Sequence, residues 1–158
     1  MASVNGALRL ARIAIQKRLP DRSQQQTLRS LGDRKLREIA ERFADAFERG
    51  DIQTVLAMLA VDATFEMPPY PEWRRGRDAI TRSWLMPAGP LPRLHYMPSH
   101  ANGQLALGCY AIEPQTGSYL PIAPDVLTLR DDLIVGVTAF RTPSIFPRFQ
   151  LPERLPAR

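Results

Sequence analysis

Four strand-length segments follow one another near the end of the chain, with no helical pattern between them. They cover residues 93–100, 104–113, 118–130 and 133–141. The pairs Asn102-Gly103, Thr116-Gly117 and Asp131-Asp132 separate them, and such pairs are typical of tight turns. Strands joined in this way pair antiparallel. This half of the chain therefore predicts an antiparallel meander.

The segments before the meander are mostly helical. Asp33 is placed to cap a helix whose apolar residues recur at helical spacing, and Gly50 is placed to end it. A short helix after Asp51, a strand over residues 61–67 and a third helix over residues 76–86 follow. This order predicts an α+β fold in which a curved antiparallel sheet wraps around helices on one face.

The two ends differ in character from this body. Residues 1–20 carry apolar residues at the spacing of an amphipathic helix, and residues 21–32 form a polar stretch that reads as a linker, part of it helical. The body covers residues 33–142. Residues 143–158 form a proline-rich tail, which cannot be a central strand. Its apolar residues predict a segment that lies over the body: Ile145, Phe146, Phe149 and Leu151.

The positive charge is concentrated in the first part of the chain. The whole sequence has 21 basic and 16 acidic residues, a net charge of +5. Residues 1–37 contribute nine basic and two acidic groups, a net of +7, so the remainder carries a net of −2. This asymmetry has two interpretations. Residues 1–37 either bind an acidic or nucleic-acid partner or present a solvated helix face.

Several classes of protein are excluded by what the sequence lacks. Cys109 is the single cysteine, so an intramolecular disulfide or a cysteine-rich zinc site cannot form. The apolar stretches are too short for a membrane span, and arginines interrupt the apolar pattern at the start, unlike a secretory signal. We therefore expect a cytoplasmic protein that does not associate with a membrane.

Four separated blocks and the opening helix carry a resemblance to a known family. The blocks are EMPPYPEWRRGRDAI (66–80), ANGQLALGCY (101–110), DVLTLRDDLIVGVTAF (125–140) and FPRFQLP (146–152). They resemble the C-terminal SnoaL-like domain of actinobacterial extracytoplasmic-function sigma-70 factors. The opening residues resemble the last helix of the promoter-binding region 4, a remnant of a helix-turn-helix.

The resemblance implies a ketosteroid-isomerase-like cone with an extra N-terminal helix, and a link to transcription. A small apolar molecule in the pocket and RNA polymerase or a sigma core are the implied partners, with Arg9, Arg12 and Lys17 as contact residues. The chain lacks region 2 and a complete region 4, so we expect no specific DNA binding by it alone. Cone folds commonly pair through the outer sheet face, which implies a homodimer.

Asp125 is the main candidate for chemistry in the pocket. It opens the run DVLTL and resembles the general base of SnoaL-type cyclases. Apolar neighbours would raise its pKa by desolvation, which suits proton abstraction beside a carbonyl. Alternatively, Asp125 bonds a backbone amide or an arginine at the sheet edge. Tyr70 and His95 complete the predicted catalytic set, which requires no cofactor.

The other pocket candidates are Trp73, His100, Asn102 and Tyr110. Trp73 either covers a bound ligand or packs on the third helix. Asn102 is also explained as a turn residue. His95 and His100 are five residues apart, so one strand would point them to opposite faces, and we predict no metal site.

Two functions of different classes fit these residues, and a ligand-free dimeric scaffold is a third hypothesis. The first is a pocket domain of a sigma factor that binds a small molecule or polymerase and tunes transcription. The second is a free-standing cyclase, isomerase or epoxide hydrolase with Asp125 as base and with Tyr70, His95 or Asn102 orienting an apolar substrate.

Overall fold

A computed structural model describes residues 4–16, 22–85 and 93–157. Its helices are α1 (Val4–Gln16), α2 (Gln24–Glu48), α3 (Ile52–Met58) and α4 (Arg77–Leu85), and a 3-10 helix covers Pro143–Phe149. Its strands are β1 (Leu59–Glu66), β2 (Trp73–Arg75), β3 (Leu94–Ala101), β4 (Gln104–Ile112), β5 (Tyr119–Arg130) and β6 (Leu133–Ala139).

The described strands form one sheet in the order β2-β1-β6-β5-β4-β3. The predicted meander β3 to β6 is confirmed, since each strand pairs antiparallel with the next. The pair β1 and β6 is parallel, which makes the sheet mixed. Turn residues predict only the pairing of the strands they join, and β1 is separated from β6 by most of the domain.

The sheet has a concave face because its strands are irregular at several points. The register shifts between Leu59 and Thr64, between Cys109 and Tyr110, and between Thr128 and Leu129. Such bulges bend a strand and increase its twist. The inner face of β4, β5 and β6 presents aliphatic side chains that pair across strands and are almost fully buried: Leu105, Leu107, Leu127, Leu129, Ile134 and Val137.

Helix α2 covers part of this concave face. The Phe43 ring packs against Phe47 and Tyr96, with centroids 4.8 and 5.9 Å away. The Glu48 carboxylate accepts a hydrogen bond of 2.8 Å from the backbone N–H of Tyr96. The C-terminal end of α2 is thus fixed to β3, the edge strand of the sheet.

Helix α2 begins earlier than the sequence predicts. The segment read as a linker is helical from Gln24, where Ser23 and Gln26 form a capping box. Leu28 is buried in the core, and the side-chain oxygen of Gln24 accepts a bond of 3.1 Å from the Leu129 N–H. Gly32, with φ of 74°, interrupts the helical geometry just before the predicted start at residue 33.

The tail lies on the convex face of the sheet. Phe146 and Leu151 are buried, while Ile145 and Phe149 are half-buried. Helix α1, in contrast, is exposed at every position from residue 4 to residue 15, including Arg9 and Arg12. Lys17, the third predicted contact residue, lies outside the described residues. In the described part of the chain, none of the helices is long and apolar enough to cross a membrane.

The inner face of the sheet should carry much of the stability. Leu127 is fully buried between Leu105 and Val137 on the neighbouring strands. We expect Leu127→Ala to lower the free energy of unfolding by about 2–5 kcal/mol, because it leaves a cavity in a packed layer. Urea unfolding measures this loss.

The matched control is Val61→Ala on β1, where the side chain is 75% exposed. This variant should change the free energy of unfolding by less than about 0.5 kcal/mol. Equal effects of the two substitutions would contradict the burial pattern described above.

Candidate functional site

A cavity of about 820 Å³ lies between the concave face of the sheet and the helices. Helix α2 covers only part of that face, so the remaining space stays open. The lining is mostly apolar, with Phe43 and Phe47 from α2, and Phe65, Ile122 and Val137 from the sheet. This volume is in the range of pockets that hold drug-sized molecules.

Asp125 projects into the cavity from β5. The residue is 6% exposed, and its strand neighbours across the inner face are Leu107 and Ala139. Burial raises the pKa of the Asp125 carboxyl to about 7, against the opposing effects of the Arg141 charge and a hydrogen bond from Tyr96. The group therefore changes protonation state near neutral pH.

Tyr96 and Cys109 lie beside Asp125 on the same face of the sheet. They are direct partners in the pairing of β3 with β4, and the Tyr96 hydroxyl interacts by hydrogen bonding with both the Asp125 carboxyl and the Cys109 thiol. Burial raises the pKa of the Tyr96 hydroxyl well above its usual value, and it also raises the pKa of the Cys109 thiol. Both groups stay neutral, so Cys109 is not activated as a nucleophile.

Arginines lie at the outer part of the cavity. Arg141 follows β6 two residues after Ala139, and Arg93 precedes β3; both line the cavity and are exposed. Arg141 and Asp125 both line the cavity, and the positive charge of Arg141 lowers the pKa of Asp125. The charged part of the lining holds both signs, with Glu48 and Glu72 beside Arg93 and Arg141.

Two of the predicted residues lie near this cavity and both are largely exposed. Tyr70 lines the cavity and is 57% exposed, so it lies at the rim. Trp73, also 57% exposed, is on β2 and lines a separate shallow groove together with Tyr70. Neither side chain is positioned beside the Asp125 carboxyl.

The remaining predicted residues are not brought together with Asp125. The His95 Nδ1 atom lies 2.8 Å from a Glu48 carboxylate oxygen, and its ring contacts Tyr119. His100 is exposed near the end of β3, on the opposite face from His95 as the five-residue spacing predicts. Asn102, with φ of 50°, belongs to the turn between β3 and β4.

Tyr110 lies on the other side of the sheet from the cavity. It is fully buried, and its hydroxyl donates a hydrogen bond of 2.9 Å to the Pro152 carbonyl in the tail. Burial raises the pKa of Tyr110 to about 12. Its position follows from strand alternation, since its chain neighbour Cys109 faces the cavity.

Sequence reasoning did not single out Tyr96 and Arg141. Tyr96 follows His95, so an alternation count anchored on Asp125 and the turn at Asn102-Gly103 could have assigned it to the inner face. No comparable signal exists for Arg141, because it lies beyond the end of β6.

The arrangement can bind a small molecule and can also transfer a proton. A protonated Asp125 and the neutral Tyr96 hydroxyl can donate hydrogen bonds to a carbonyl or phenol oxygen, whereas an ionised Asp125 can accept a proton. Across the described ranges, no cluster of three or more His, Cys, Asp or Glu side chains could hold a metal ion.

The raised pKa of Asp125 predicts how stability depends on pH. Between its ordinary value of 3.8 and about 7, the folded state binds a proton that the unfolded state has released. Asp125 therefore contributes stability that is fully present below pH 3.8 and is lost as the pH rises through about 7. The difference in unfolding free energy between wild type and Asp125→Asn should change by up to about 4 kcal/mol over this interval.

Urea unfolding at a series of pH values measures this difference. Asp132→Asn, in the exposed turn between β5 and β6, is the matched control and should follow the wild type at each pH. If the difference in unfolding free energy between wild type and Asp125→Asn is the same at every pH, the Asp125 carboxyl has the same pKa in the folded and unfolded states, which would contradict this prediction.

Comparison with known proteins agrees with the fold and adds a relative. Residues 40–137 match the SnoaL-like domain family. The chain is 33% identical over 144 residues to the ECF RNA polymerase sigma factor SigG of Mycobacterium tuberculosis strain H37Rv, covering 85% of this chain and 38% of SigG. The chain therefore spans well under half the length of this relative.

Solved structures share the fold at low sequence identity. A de novo designed protein with a curved β-sheet has a TM-score of 0.56 and 15% identity, covering 75% of this chain and 94% of the designed one. Delta 5-3-ketosteroid isomerase from Mycobacterium sp. has a TM-score of 0.50 and 18% identity, covering 66% of this chain and 91% of the enzyme. Together with the family match, these similarities show that the chain belongs to the SnoaL-like family and has the ketosteroid-isomerase-like fold.

Proposed function

We propose that this chain is a small-molecule-binding regulatory domain of a sigma-70 family transcription factor and modulates RNA polymerase. The observation that carries the proposal is the 820 Å³ apolar cavity, with Asp125 and Tyr96 in its wall, in a chain related to SigG. This function would place the protein in the cytoplasm with RNA polymerase. It requires no cofactor.

The ligand we propose is an apolar molecule with a polar oxygen. The aromatic and aliphatic lining would bury its apolar body, since such burial contributes about 25 cal/mol per Å². Asp125 and Tyr96 would hydrogen-bond its oxygen, and Arg141 would favour a partial or full negative charge at the outer end. Tyr70, at the rim, would contact the part of the ligand nearest to solvent.

The N-terminal arm, meaning helix α1 (Val4–Gln16), is the proposed contact with RNA polymerase or a sigma core. Arg9 and Arg12 are on α1, which is exposed along its described length, and no ion pair is found for either within the described ranges. An exposed basic helix is suited to an acidic protein surface or to nucleic acid phosphates. Specific promoter recognition by this chain alone is not proposed, because a helix-turn-helix reads DNA with a supporting helix as well as a recognition helix.

A second candidate function is proton-transfer catalysis in the same cavity. The pKa of Asp125, raised to about 7, favours it, because a general base is most effective when its pKa is near the working pH. In this alternative, Asp125 would remove a proton next to a carbonyl, and Tyr96 would donate to the oxygen that becomes negative. In this alternative, Tyr96 would orient the substrate, a role that the sequence analysis gave to Tyr70, His95 or Asn102.

Filling the cavity should remove ligand binding. Ala123 is buried and lines the cavity, so Ala123→Phe would occupy part of the space. With 1-anilinonaphthalene-8-sulfonate as probe, we expect fluorescence titration to show binding to the wild type that is weakened at least about tenfold in Ala123→Phe. Ala7→Phe on the exposed helix α1 is the matched control and should bind as the wild type does.

Equal probe binding by wild type and Ala123→Phe would contradict a ligand site in the cavity.

A second experiment distinguishes the two candidate functions. It uses small ketones and phenols that displace the probe. Mass spectrometry after incubation should recover them unchanged if the domain only binds. Conversion by the wild type but not by Asp125→Asn would favour the catalytic alternative, with a loss of about 10²–10⁴ in rate.

The arm should contribute electrostatically to polymerase binding. Biolayer interferometry can measure binding of this chain to mycobacterial RNA polymerase carrying a sigma core. We expect the double substitution Arg9→Glu and Arg12→Glu to weaken binding at least about tenfold and to reduce its salt dependence. The control pair, Arg34→Glu and Arg37→Glu on exposed positions of α2, should have a smaller effect. Binding that is unaffected by the arm substitutions would contradict this role.

A further inference from the structure

Glu48 joins the end of helix α2 to the edge strand β3. Among the described strands, β3 pairs only with β4, so its other side is an edge of the sheet. A backbone N–H at such an edge has no strand to bond to. The N–H of Tyr96 donates instead to the Glu48 carboxylate at 2.8 Å. At this residue, the Glu48 side chain therefore supplies the acceptor that a further strand would supply.

His95 contacts the same carboxylate oxygen. Its Nδ1 atom lies 2.8 Å from the Glu48 Oε1 atom that accepts from the Tyr96 N–H. His95 is 8% exposed, and its ring packs against Tyr119 with the centroids 5.6 Å apart. Two donors on one oxygen, one of them on a packed ring, leave the Glu48 side chain little freedom to rotate. The carboxylate is thus fixed to two successive residues of β3.

The stability of helix α2 does not account for an acidic residue at position 48. Glu48 is the last residue of the helix, where the helix dipole favours a cation. Asp45 lies near the same end and has Arg49 as a partner at 3.5 Å. The partners of Glu48, in contrast, lie on β3. Its contacts with the strand are therefore the physical reason for its place.

Tyr96, the residue that Glu48 holds, is also the one that reaches Asp125. Its hydroxyl hydrogen-bonds with the Asp125 carboxyl, and its ring packs on Phe47 at a centroid distance of 5.4 Å. In the described part of the chain, the other charged and titratable groups that line the cavity are Glu48, Tyr70, Glu72, Arg93, Cys109 and Arg141. An O–H···O bond requires the two oxygens to lie within about 3 Å, so a small displacement of β3 would separate the hydroxyl from the carboxyl.

We propose that Glu48 and His95 are positioning residues that hold the Tyr96 backbone, so that the Tyr96 hydroxyl stays on the Asp125 carboxyl. His95 does not line the cavity, because neighbouring residues of a strand point to opposite faces and Tyr96 faces inward. The sequence predicts His95 as a catalytic residue, and this contact gives it a different role. The value of the contact for ligand binding rests on the proposed function, whereas the contact itself belongs to the free protein.

Two substitutions at position 48 separate the hydrogen bonds from the charge. Glu48→Gln removes the charge and keeps an oxygen that accepts from the Tyr96 N–H, and Glu48→Ala removes both. A ¹³C NMR titration of the full chain without ligand gives the midpoint of the Asp125 carboxyl. The hydrogen bond from Tyr96 lowers the pKa of Asp125. We therefore expect the midpoint in Glu48→Ala to lie at least about half a pH unit above that in Glu48→Gln, as for one weakened hydrogen bond.

The same comparison in a Tyr96→Phe background shows whether Glu48 acts through the Tyr96 hydroxyl. The difference between Ala and Gln at position 48 should disappear there, because the hydroxyl is absent. Asp45→Ala removes a carboxylate that is 63% exposed near the same helix end, and this matched control should titrate like the wild type. If Glu48→Ala does not fold, His95→Ala and His95→Asn repeat the comparison, since Asn keeps a side-chain donor for Glu48.

Equal midpoints in Glu48→Ala and Glu48→Gln would overturn the inference. A difference that persists in the Tyr96→Phe background would also overturn it, because Glu48 would then act by another route. Failure of 1-anilinonaphthalene-8-sulfonate to bind the wild type would contradict the proposed ligand site without changing these midpoints. The positioning role and the proposed function can therefore fail separately.

Discussion

The packing of α2 against the concave face of the sheet determines what the rest of the molecule can do. Phe43 and Phe47 contact Tyr96, and Glu48 accepts a bond from the Tyr96 backbone. These contacts fix the helix at the β3 edge of the sheet. Helix α2 packs at the β3 edge and α4 packs on β1 and β2, so space remains between the helices and the middle of the sheet. That space is the cavity. In its wall, Tyr96, Cys109 and Asp125 lie on strands and Glu48 lies on α2, whereas Arg93 and Arg141 lie just outside β3 and β6.

The cavity wall contains a group, the Asp125 carboxyl, whose burial is unfavourable for the stability of the folded state at neutral pH. Placing Asp125 among apolar side chains raises its pKa to about 7, so the carboxylate is a poor group to bury at neutral pH. Arg141 and Tyr96 reduce this cost without removing it. An unfavourable local choice of this kind, in a domain that is otherwise well packed, is typical of a functional position.

Much of the fold could be predicted, because turns and strand lengths are local properties. The predicted strands 104–113, 118–130 and 133–141 end within two residues of β4, β5 and β6. The parallel pairing of β1 with β6 depends on tertiary contacts, which local patterns do not encode. The early start of α2 has a local signal, the capping box of Ser23 and Gln26, which the sequence analysis did not use. Asp125 could be assigned to the site from the sequence, and Tyr96 could be assigned by a strand register correct to one residue, counted from Asp125 and the Asn102-Gly103 turn. Arg141 could not, because it lies beyond the end of β6.

The two faces of the sheet thus differ: the concave face lines a cavity, and the tail covers the convex face. The central claim is that the apolar cavity wall keeps the Asp125 carboxyl out of water. A ¹³C NMR titration of this carboxyl, assigned by its absence in Asp125→Asn, tests the claim most directly. The account predicts a midpoint near pH 7, and a midpoint at or below the ordinary value of 3.8 would contradict it.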